Sequence, residues 1–113
     1  MLFNAYKVYN YSGEYYRYTL VTDPNNPDYT LEQYSAIPEA IRINITTTLS
    51  GDLVILADAK LQIKGRIAKI LDKNSIEVYP DGVWQISQTQ PIVNALGLTE
   101  GYRYRAKIIS GNV

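Results

Sequence analysis

The sequence predicts an all-β protein: a small antiparallel β-barrel or sandwich of about seven strands, with an N-terminal hairpin and one or two short helices. Apolar and polar residues alternate with period two along most of the chain, which is typical of half-buried strands. Turn residues such as Ser50-Gly51 and Pro80-Asp81-Gly82 interrupt the alternation at short intervals. The chain has 113 residues, of which 46% are apolar. One core can be buried at this size, so we expect a single domain over residues 1–113.

Residues 1–22 predict a tyrosine-rich β-hairpin. Six of the eleven tyrosines lie between Tyr6 and Tyr18. Aromatic and β-branched residues alternate from Leu2 to Tyr11 and from Glu14 to Thr22, so the turn would fall at Ser12-Gly13. Both arms carry rings on both faces, which favours an assembly arm packed between its own barrel and a neighbouring molecule.

Residues 23–40 predict an exposed loop followed by a short helix. The run from Asp23 to Asp28 has two prolines and no apolar residue. The helix would span Tyr29 to Ala36, with Asp28 or Thr30 as its N-cap and Pro38 marking its end.

Residues 41–113 predict the barrel core. Alternation from Ile41 to Leu49 indicates a half-buried strand, and Leu53 to Leu56, apolar on both faces, indicates a central one. Leu61 to Leu71 favours a strand over a helix, and its alternation slips near Ala68, which a bulge at Gly65 or Ala68 would explain.

The rest of this region predicts two more strands, a short helix and a last strand. Ile76 to Tyr79 and Val83 to Gln90 would continue a meander, with Trp84 as a core anchor. Pro91 to Gly97 would form one or two helical turns. The last strand, Tyr102 to Ile109, would place Arg103, Arg105 and Lys107 on one face.

The composition excludes most common enzyme chemistries. The chain has no cysteine and no histidine, which removes the thiolate nucleophile, the imidazole base and the usual zinc ligands. No pair of carboxylates stands out, so we expect no enzyme and no cofactor or metal. The longest apolar run, Leu53 to Ala57, is too short to cross a bilayer, and Met1-Leu-Phe-Asn4 lacks the pattern of a signal peptide. We therefore expect synthesis in the cytoplasm and no membrane contact.

Charge is segregated although the net charge is zero. Residues 23–58 carry six acids against Arg42 alone, whereas residues 60–73 carry five bases against Asp72 alone. Such a chain can present surfaces of opposite sign to a copy of itself or to a charged partner. Solvated strand faces that alternate in sign are the alternative.

The C-terminal half resembles small head-completion proteins of tailed bacteriophages. The resemblance covers roughly residues 50–110 and rests on Gly51-Asp-Leu-Val-Ile-Leu56, Ile63 to Ile70, Gly82-Val-Trp-Gln-Ile86, Gln90-Pro91 and Gly101-Tyr-Arg-Tyr-Arg-Ala106. It implies an adaptor, stopper or head-closure subunit: a β-barrel stacked as a ring under the portal. The tyrosine-rich hairpin and the loop from Asp23 to Asp28 match no part of that pattern.

The resemblance implies a structural virion protein at the head-tail connector, assembled in the host cytoplasm. Its partners would be copies of itself in a ring, portal or adaptor proteins and tail proteins, with at most passive contact with DNA. A loop reaching the DNA channel or the next ring would contain Asp23, Asn25, Asn26 and Asp28. The predicted interface residues are Tyr6, Tyr9, Tyr11, Tyr15, Tyr16, Tyr18, Arg103, Arg105 and Lys107.

An alternative function is a free-standing barrel that binds nucleic acid or glycan. Its platform would use aromatic stacking by Tyr15, Tyr16, Tyr18, Tyr102 and Tyr104. Against the nucleic-acid version stands a pI near 6.2, because dedicated nucleic-acid binders are usually basic overall.

Overall fold

The computed structural model describes residues 9–79 and 82–109 of the chain. Over these two stretches the protein is all β, with eight strands and no helix. The strands are β1 (Tyr11–Tyr16), β2 (Tyr18–Asp23), β3 (Asn26–Tyr34), β4 (Glu39–Thr47), β5 (Leu53–Ala57), β6 (Arg66–Asp72), β7 (Val83–Val93) and β8 (Thr99–Ile109).

Six of the strands close into an antiparallel barrel in the order β1-β4-β5-β8-β7-β6, and β6 pairs back to β1. The other two, β2 and β3, form a separate two-stranded sheet that is inserted between β1 and β4. The predicted all-β barrel is therefore confirmed. The predicted count of seven strands and the predicted short helices are wrong.

The core fills the barrel interior with alternate residues of each strand. In β4, Ile41 and Ile43 are buried whereas Arg42 between them is exposed, as the period of a strand requires. Trp84 is buried as predicted and meets the ring of Tyr79 edge-on at 5.4 Å between centroids. The other large buried side chains are Tyr15, Leu53, Ile55, Leu61, Ile67, Ile70, Ile86 and Tyr104.

The predicted slip near Ala68 corresponds to a bulge in β6. Ser12 and Glu14 of β1 are two residues apart, yet their partners Leu71 and Ala68 are three apart. The extra residue is Lys69, whose backbone adopts a φ of 51°. The bulge allows residues of opposite parity, Ile67 and Ile70, both to enter the core.

Residues 58–65 are not part of a strand, although the sequence predicts one from Leu61. They cross one end of the barrel from β5 to β6, and two buried tyrosines hold them there. The Leu61 amide donates to the hydroxyl of Tyr104 and the Gln62 amide donates to the hydroxyl of Tyr15, both at 2.8 Å. Burial raises the pKa of each tyrosine above its ordinary value.

The prediction of an N-terminal hairpin is wrong, because Ser12-Gly13 is not a turn. Both residues lie inside β1, where Gly13 packs so closely on the barrel that an added Cβ would be 2.9 Å from Cγ2 of Ile67. The first strand of that predicted hairpin, up to residue 8, lies outside the described residues. The segment from Ile76 to Tyr79 is also not a strand, and it pairs with β6 through a single bridge from Glu77 to Leu71.

Both predicted helices are strands. Residues 29–36 lie mostly in β3, held by pairing with β2, and residues 91–93 complete β7 before a turn at residues 94–98. Pro91 is tolerated there because β8 is the only strand that pairs with this part of β7. The sheet therefore loses no backbone hydrogen bond through the missing amide hydrogen.

Two hairpins extend beyond the same end of the barrel. β1 ends at Tyr16 opposite Arg66, and the β2–β3 hairpin continues from that end. Backbone hydrogen bonds between Gly65 and Ile86 place Ile86 at the same level, so the β7–β8 hairpin also continues past it. The radius of gyration of 15.7 Å exceeds the value of about 13 Å typical of a compact chain of this length.

Candidate interaction surfaces

The β2–β3 hairpin, Tyr18–Tyr34, is called the arm. Every residue of β3 except Tyr34 is exposed, so the arm packs little on its own barrel. Its exposed apolar side chains include Leu20 (57% exposed), Tyr29 (63%) and Leu31 (42%). An isolated two-stranded hairpin is at best marginally stable in water. The arm would therefore gain stability from being covered.

The base of the arm is attached to the barrel end by polar and aromatic contacts. Tyr18 and Tyr34 lie side by side, with ring centroids 5.7 Å apart. The Tyr34 hydroxyl donates to the Lys64 carbonyl at 3.0 Å, and the Arg66 guanidinium lies 4.0 Å from the centre of the Tyr34 ring. The Tyr18 amide donates to Oε1 of Gln62 at 3.0 Å. The arm therefore leaves the barrel from a defined base.

An exposed ion pair supports this base. Nζ of Lys64 lies 3.2 Å from Oε1 of Glu32, which also accepts a hydrogen bond from the Tyr18 hydroxyl at 3.2 Å. The hydrogen bond from Lys64 lowers the pKa of Glu32, and the same bond raises the pKa of Lys64. Both side chains are about half exposed, so the pair orients the arm more than it stabilises the fold.

The tip of the arm contains the predicted loop residues. It turns at Pro24-Asn25, where Oδ1 of Asp23 accepts a hydrogen bond from the Asn25 amide at 2.8 Å. Asn26 begins β3, and Asp28 follows two residues later. Within residues 9–79 and 82–109, neither Asp23 nor Asp28 forms an ion pair. The tip therefore presents two uncompensated negative charges.

The predicted basic residues lie together on the outer face of β8. Arg103 pairs with Leu56 of β5 and Gln90 of β7, and Arg105 pairs with Val54 and Gln88. Nε of Arg105 lies 3.0 Å from Oδ2 of Asp52. Lys107 lies two residues further along β8 and is exposed. The sheet face thus combines an apolar strip on β5, cations on β8 and amides on β7.

A groove is open on this face and is called the β8 groove. Its volume is about 520 Å³, and Ile63, 44% exposed, closes it at the barrel end. The lining residues are Val54, Ile63, Gln88, Thr89, Gln90, Arg103, Tyr104 and Arg105. This is an apolar floor with a cationic and amide rim, the form of a site for an acidic segment with apolar residues.

The β7–β8 hairpin ends in an ordered apolar tip. Oδ1 of Asn94 accepts hydrogen bonds from the Leu96 amide at 2.9 Å and the Leu98 amide at 3.0 Å. Gly97 adopts a φ of 80°, which favours glycine. The turn exposes Leu96 (82%) and Leu98 (61%) beside Val93 (53%). This tip is a second apolar surface at the end of the barrel from which the arm also leaves.

The predicted interface tyrosines do not form one surface. Tyr15 is 1% exposed and belongs to the core, and Tyr11 packs against the core. Tyr16 ends β1, half-buried, and Tyr18 forms the arm base. Tyr6 lies outside the described residues. The tyrosine cluster therefore serves mainly the barrel and the arm base.

Tyr9 lies in a second cleft, of about 450 Å³, which Tyr102 also lines. The Tyr9 hydroxyl donates to the Ala57 carbonyl at 3.3 Å, and Arg42 lies 5.8 Å from its ring centre. Nζ of Lys60 lies 5.5 Å from the ring centre of Tyr102. The cations over these rings already occupy faces on which a base or sugar would stack.

The alternative stacking platform is not assembled. Two of its five rings, Tyr15 and Tyr104, are buried and use their hydroxyls to hold the segment 58–65. Tyr18 lies against Tyr34 at the arm base, away from Tyr102 near β5. No common face of exposed rings is left for a ligand.

Sequence reasoning missed the apolar residues of the arm and the amides of the groove. Tyr29, Leu31 and Gln33 alternate with Thr30 and Glu32, a period-two signal that was available. The groove depends on strand order, which brings β5 beside β8 and cannot be derived from local pattern.

The part of the chain that the structure describes holds no group of three or more acidic side chains placed to bind a metal ion. It also holds no helix long and apolar enough to cross a membrane. No family model, curated protein or solved structure matches this chain. Function is therefore argued from the surfaces themselves.

Proposed function

We propose that this protein is a structural subunit that assembles with copies of itself through the arm, and that it serves as a head-tail connector protein of a tailed-bacteriophage virion. The observation that supports self-assembly most directly is the arm: a two-stranded hairpin with exposed Leu20, Tyr29 and Leu31 and almost no contact with its own core. Exposed apolar surface on a projecting hairpin is typical of a protein interface.

The closed barrel directs assembly to the hairpins. Closure pairs the edges of all six barrel strands along the barrel body, so a neighbour cannot add a strand there. The arm and the far end of the β7–β8 hairpin keep free edges and exposed apolar side chains. Association of this chain with itself or with a partner would use these elements.

Two different surfaces, the arm and the β8 groove, allow a head-to-tail contact between successive copies. A head-to-tail contact closes into a ring when the rotation between neighbours permits it. Opposite charges on the two surfaces would fix the direction of the contact. A ring of rigid barrels is the arrangement that a connector layer needs.

The phage assignment itself rests on the resemblance over residues 50–110. That region contains β5 to β8, four strands of the barrel, and it provides the β8 groove. Portal or adaptor and tail proteins are the partners that follow from this assignment, with the virion as the location. DNA would be contacted passively, since the arm tip that could line a channel is acidic.

The experiment compares the wild-type chain with two serine variants by light scattering and negative-stain microscopy. One variant, Leu20→Ser with Leu31→Ser, alters the arm. Its matched control, Leu49→Ser with Ile76→Ser, alters exposed apolar residues at the opposite end of the barrel. All four side chains are exposed, so we expect unchanged thermal unfolding of the barrel in both.

We expect ring-shaped oligomers of the wild-type protein, alone or with portal and tail proteins, and of the control. The arm variant should remain a folded monomer. A wild-type chain that stays monomeric with and without those proteins would refute the proposal. Equal assembly of all three chains would refute the role of the arm.

A further inference from the structure

The outer face of strand β8 carries positive charge that the described part of the molecule does not neutralise. Arg105 is paired with Asp52, but neither Arg103 nor Lys107 forms an ion pair within residues 9–79 and 82–109. Both side chains are exposed and point to the same side of the sheet as Arg105. Arg103 on the rim of the β8 groove and Lys107, which lies beyond the lining residues on the same face, are therefore two free cations about 13 Å apart along the strand.

The arm has the opposite charge and exposed apolar residues of its own. It contains Asp23, Asp28 and Glu32 and no lysine or arginine. Glu32 is paired with Lys64 at the base, so the free acids are the two at the tip. The apolar residues Leu20 and Leu31 lie between tip and base. The arm thus presents apolar side chains behind an acidic end, and the groove presents an apolar floor beside a basic strand.

The arm does not fill the groove of its own molecule. Residues 26–33 are all exposed, which excludes close packing of β3 on its own barrel. The contacts that hold the base, from Gln62 and Lys64, aim the arm away from the barrel end. At about 3.3 Å per residue, β2 is about 20 Å long, more than the distance along β8 from Arg103 in a neighbour's groove to Lys107 beyond it.

We propose that the β8 groove of one copy binds the arm of a neighbouring copy, with Leu20 or Leu31 over Val54 and the acids Asp23 and Asp28 beside Arg103 and Lys107. This inference rests on the proposed self-assembly and names the two surfaces that make the contact. The arm and the groove are different parts of the chain, so the contact can repeat head to tail around a ring, whereas a reciprocal exchange of two arms would give a two-fold dimer. Its exposed charge pairs make association weaker at high salt.

The test exchanges the charges in the full-length chain. The arm variant is Asp23→Asn with Asp28→Lys, where asparagine keeps the side-chain oxygen that accepts the Asn25 amide. The groove variant is Arg103→Glu with Lys107→Glu. The control, Lys60→Glu with Lys73→Glu, makes the same charge change at two exposed lysines that form no ion pair among the described residues and do not line the groove. A fourth chain combines the arm and groove changes.

Self-association is measured by sedimentation velocity over a range of protein and salt concentrations. We expect the arm and groove variants each to associate at least tenfold more weakly than the wild type. The combined chain, and an equimolar mixture of the two variants, should recover at least half of the lost association free energy, a threefold or greater gain. The control should match the wild type.

Four outcomes would overturn the inference, and they can be told apart. An oligomeric wild type with unaffected arm and groove variants would refute this contact and leave the proposed assembly standing. Weakening without recovery in the combined chain would show that the two surfaces do not meet. A wild type that is monomeric even with portal and tail proteins would refute both. Salt-sensitive binding of a single-stranded oligonucleotide, lost in the groove variant while oligomers persist, would assign the groove to nucleic acid.

Discussion

Replacing Tyr104 by phenylalanine removes one hydroxyl from the barrel interior and leaves the ring in place. That hydroxyl accepts the hydrogen bond of the Leu61 amide at 2.8 Å, and its own proton makes only a long contact of 3.5 Å with the Ala59 carbonyl. Tyr104 is fully buried and Leu61 nearly so, so water cannot replace the lost acceptor. The variant Tyr104→Phe therefore isolates one buried amide without opening a large cavity.

The expected loss of stability is about 2 kcal/mol, because an unsatisfied buried donor costs about 1–3 kcal/mol. For a chain of this size that corresponds to a melting temperature lower by roughly 8 °C. The urea midpoint should fall by about 1 M if the slope is about 2 kcal/mol per molar. Both are measured by circular dichroism on the full-length protein.

The control is Tyr102→Phe, two residues away on β8. Tyr102 is only partly buried, and its hydroxyl has no hydrogen bond among the described residues. We expect its stability to change by less than about 0.5 kcal/mol. If Tyr104→Phe is as stable as this control, the segment 58–65 does not depend on the hydroxyl and the reasoning is wrong.

Two further predictions concern the same end of the barrel. Gly65→Ala should destabilise the fold by about 1–3 kcal/mol, because the new Cβ would lie 2.7 Å from Cε1 of Tyr15 and 3.0 Å from the Gln62 carbonyl oxygen. Urea unfolding measures the change in stability. A variant as stable as the wild type would contradict the prediction. Burial raises the pKa of Tyr15 and Tyr104 above the ordinary value of 10.0. The stability that the two protonated hydroxyls contribute is therefore complete below pH 10.0 and is lost as the pH rises through the folded-state pKa. Tyrosinate absorbance, followed together with circular dichroism, should show rings that ionise at higher pH than the exposed tyrosines, and ionisation of every tyrosine at about pH 10 in a folded protein would disprove it.

The barrel strands could be predicted where burial is one-sided and local pattern reports it. Alternation from Ile41 onward predicted β4, and the apolar run from Leu53 predicted β5 as a central strand. The slip near Ala68 predicted a bulge, although the extra residue is Lys69. These features are visible in sequence because one face of each strand meets the core.

The arm and the strand ends were not predicted, because their conformation depends on pairing rather than burial. Residues 29–36 have a plausible helix cap and a following proline, yet the ladder with β2 holds them extended. Ser12-Gly13 has turn composition, but β1 needs a small residue there because β6 approaches closely. The β8 groove depends on the neighbourhood of β5 and β8, which only the closed strand order defines.

The insertion of the arm between β1 and β4 has a consequence for the rate of folding. Pairing Tyr15 with Glu39 requires closure of the chain across residues 17–38, and β2–β3 pairing within that stretch is local. A hairpin forms in about 1–10 μs, far faster than a barrel of long-range pairings can close. Once this hairpin has formed, only Arg17 and residues 35–38 remain to be ordered before Tyr15 can pair with Glu39. The shorter loop lowers the entropic cost of bringing β1 and β4 together by about 1 kcal/mol. The arm would then speed the pairing of β1 with β4.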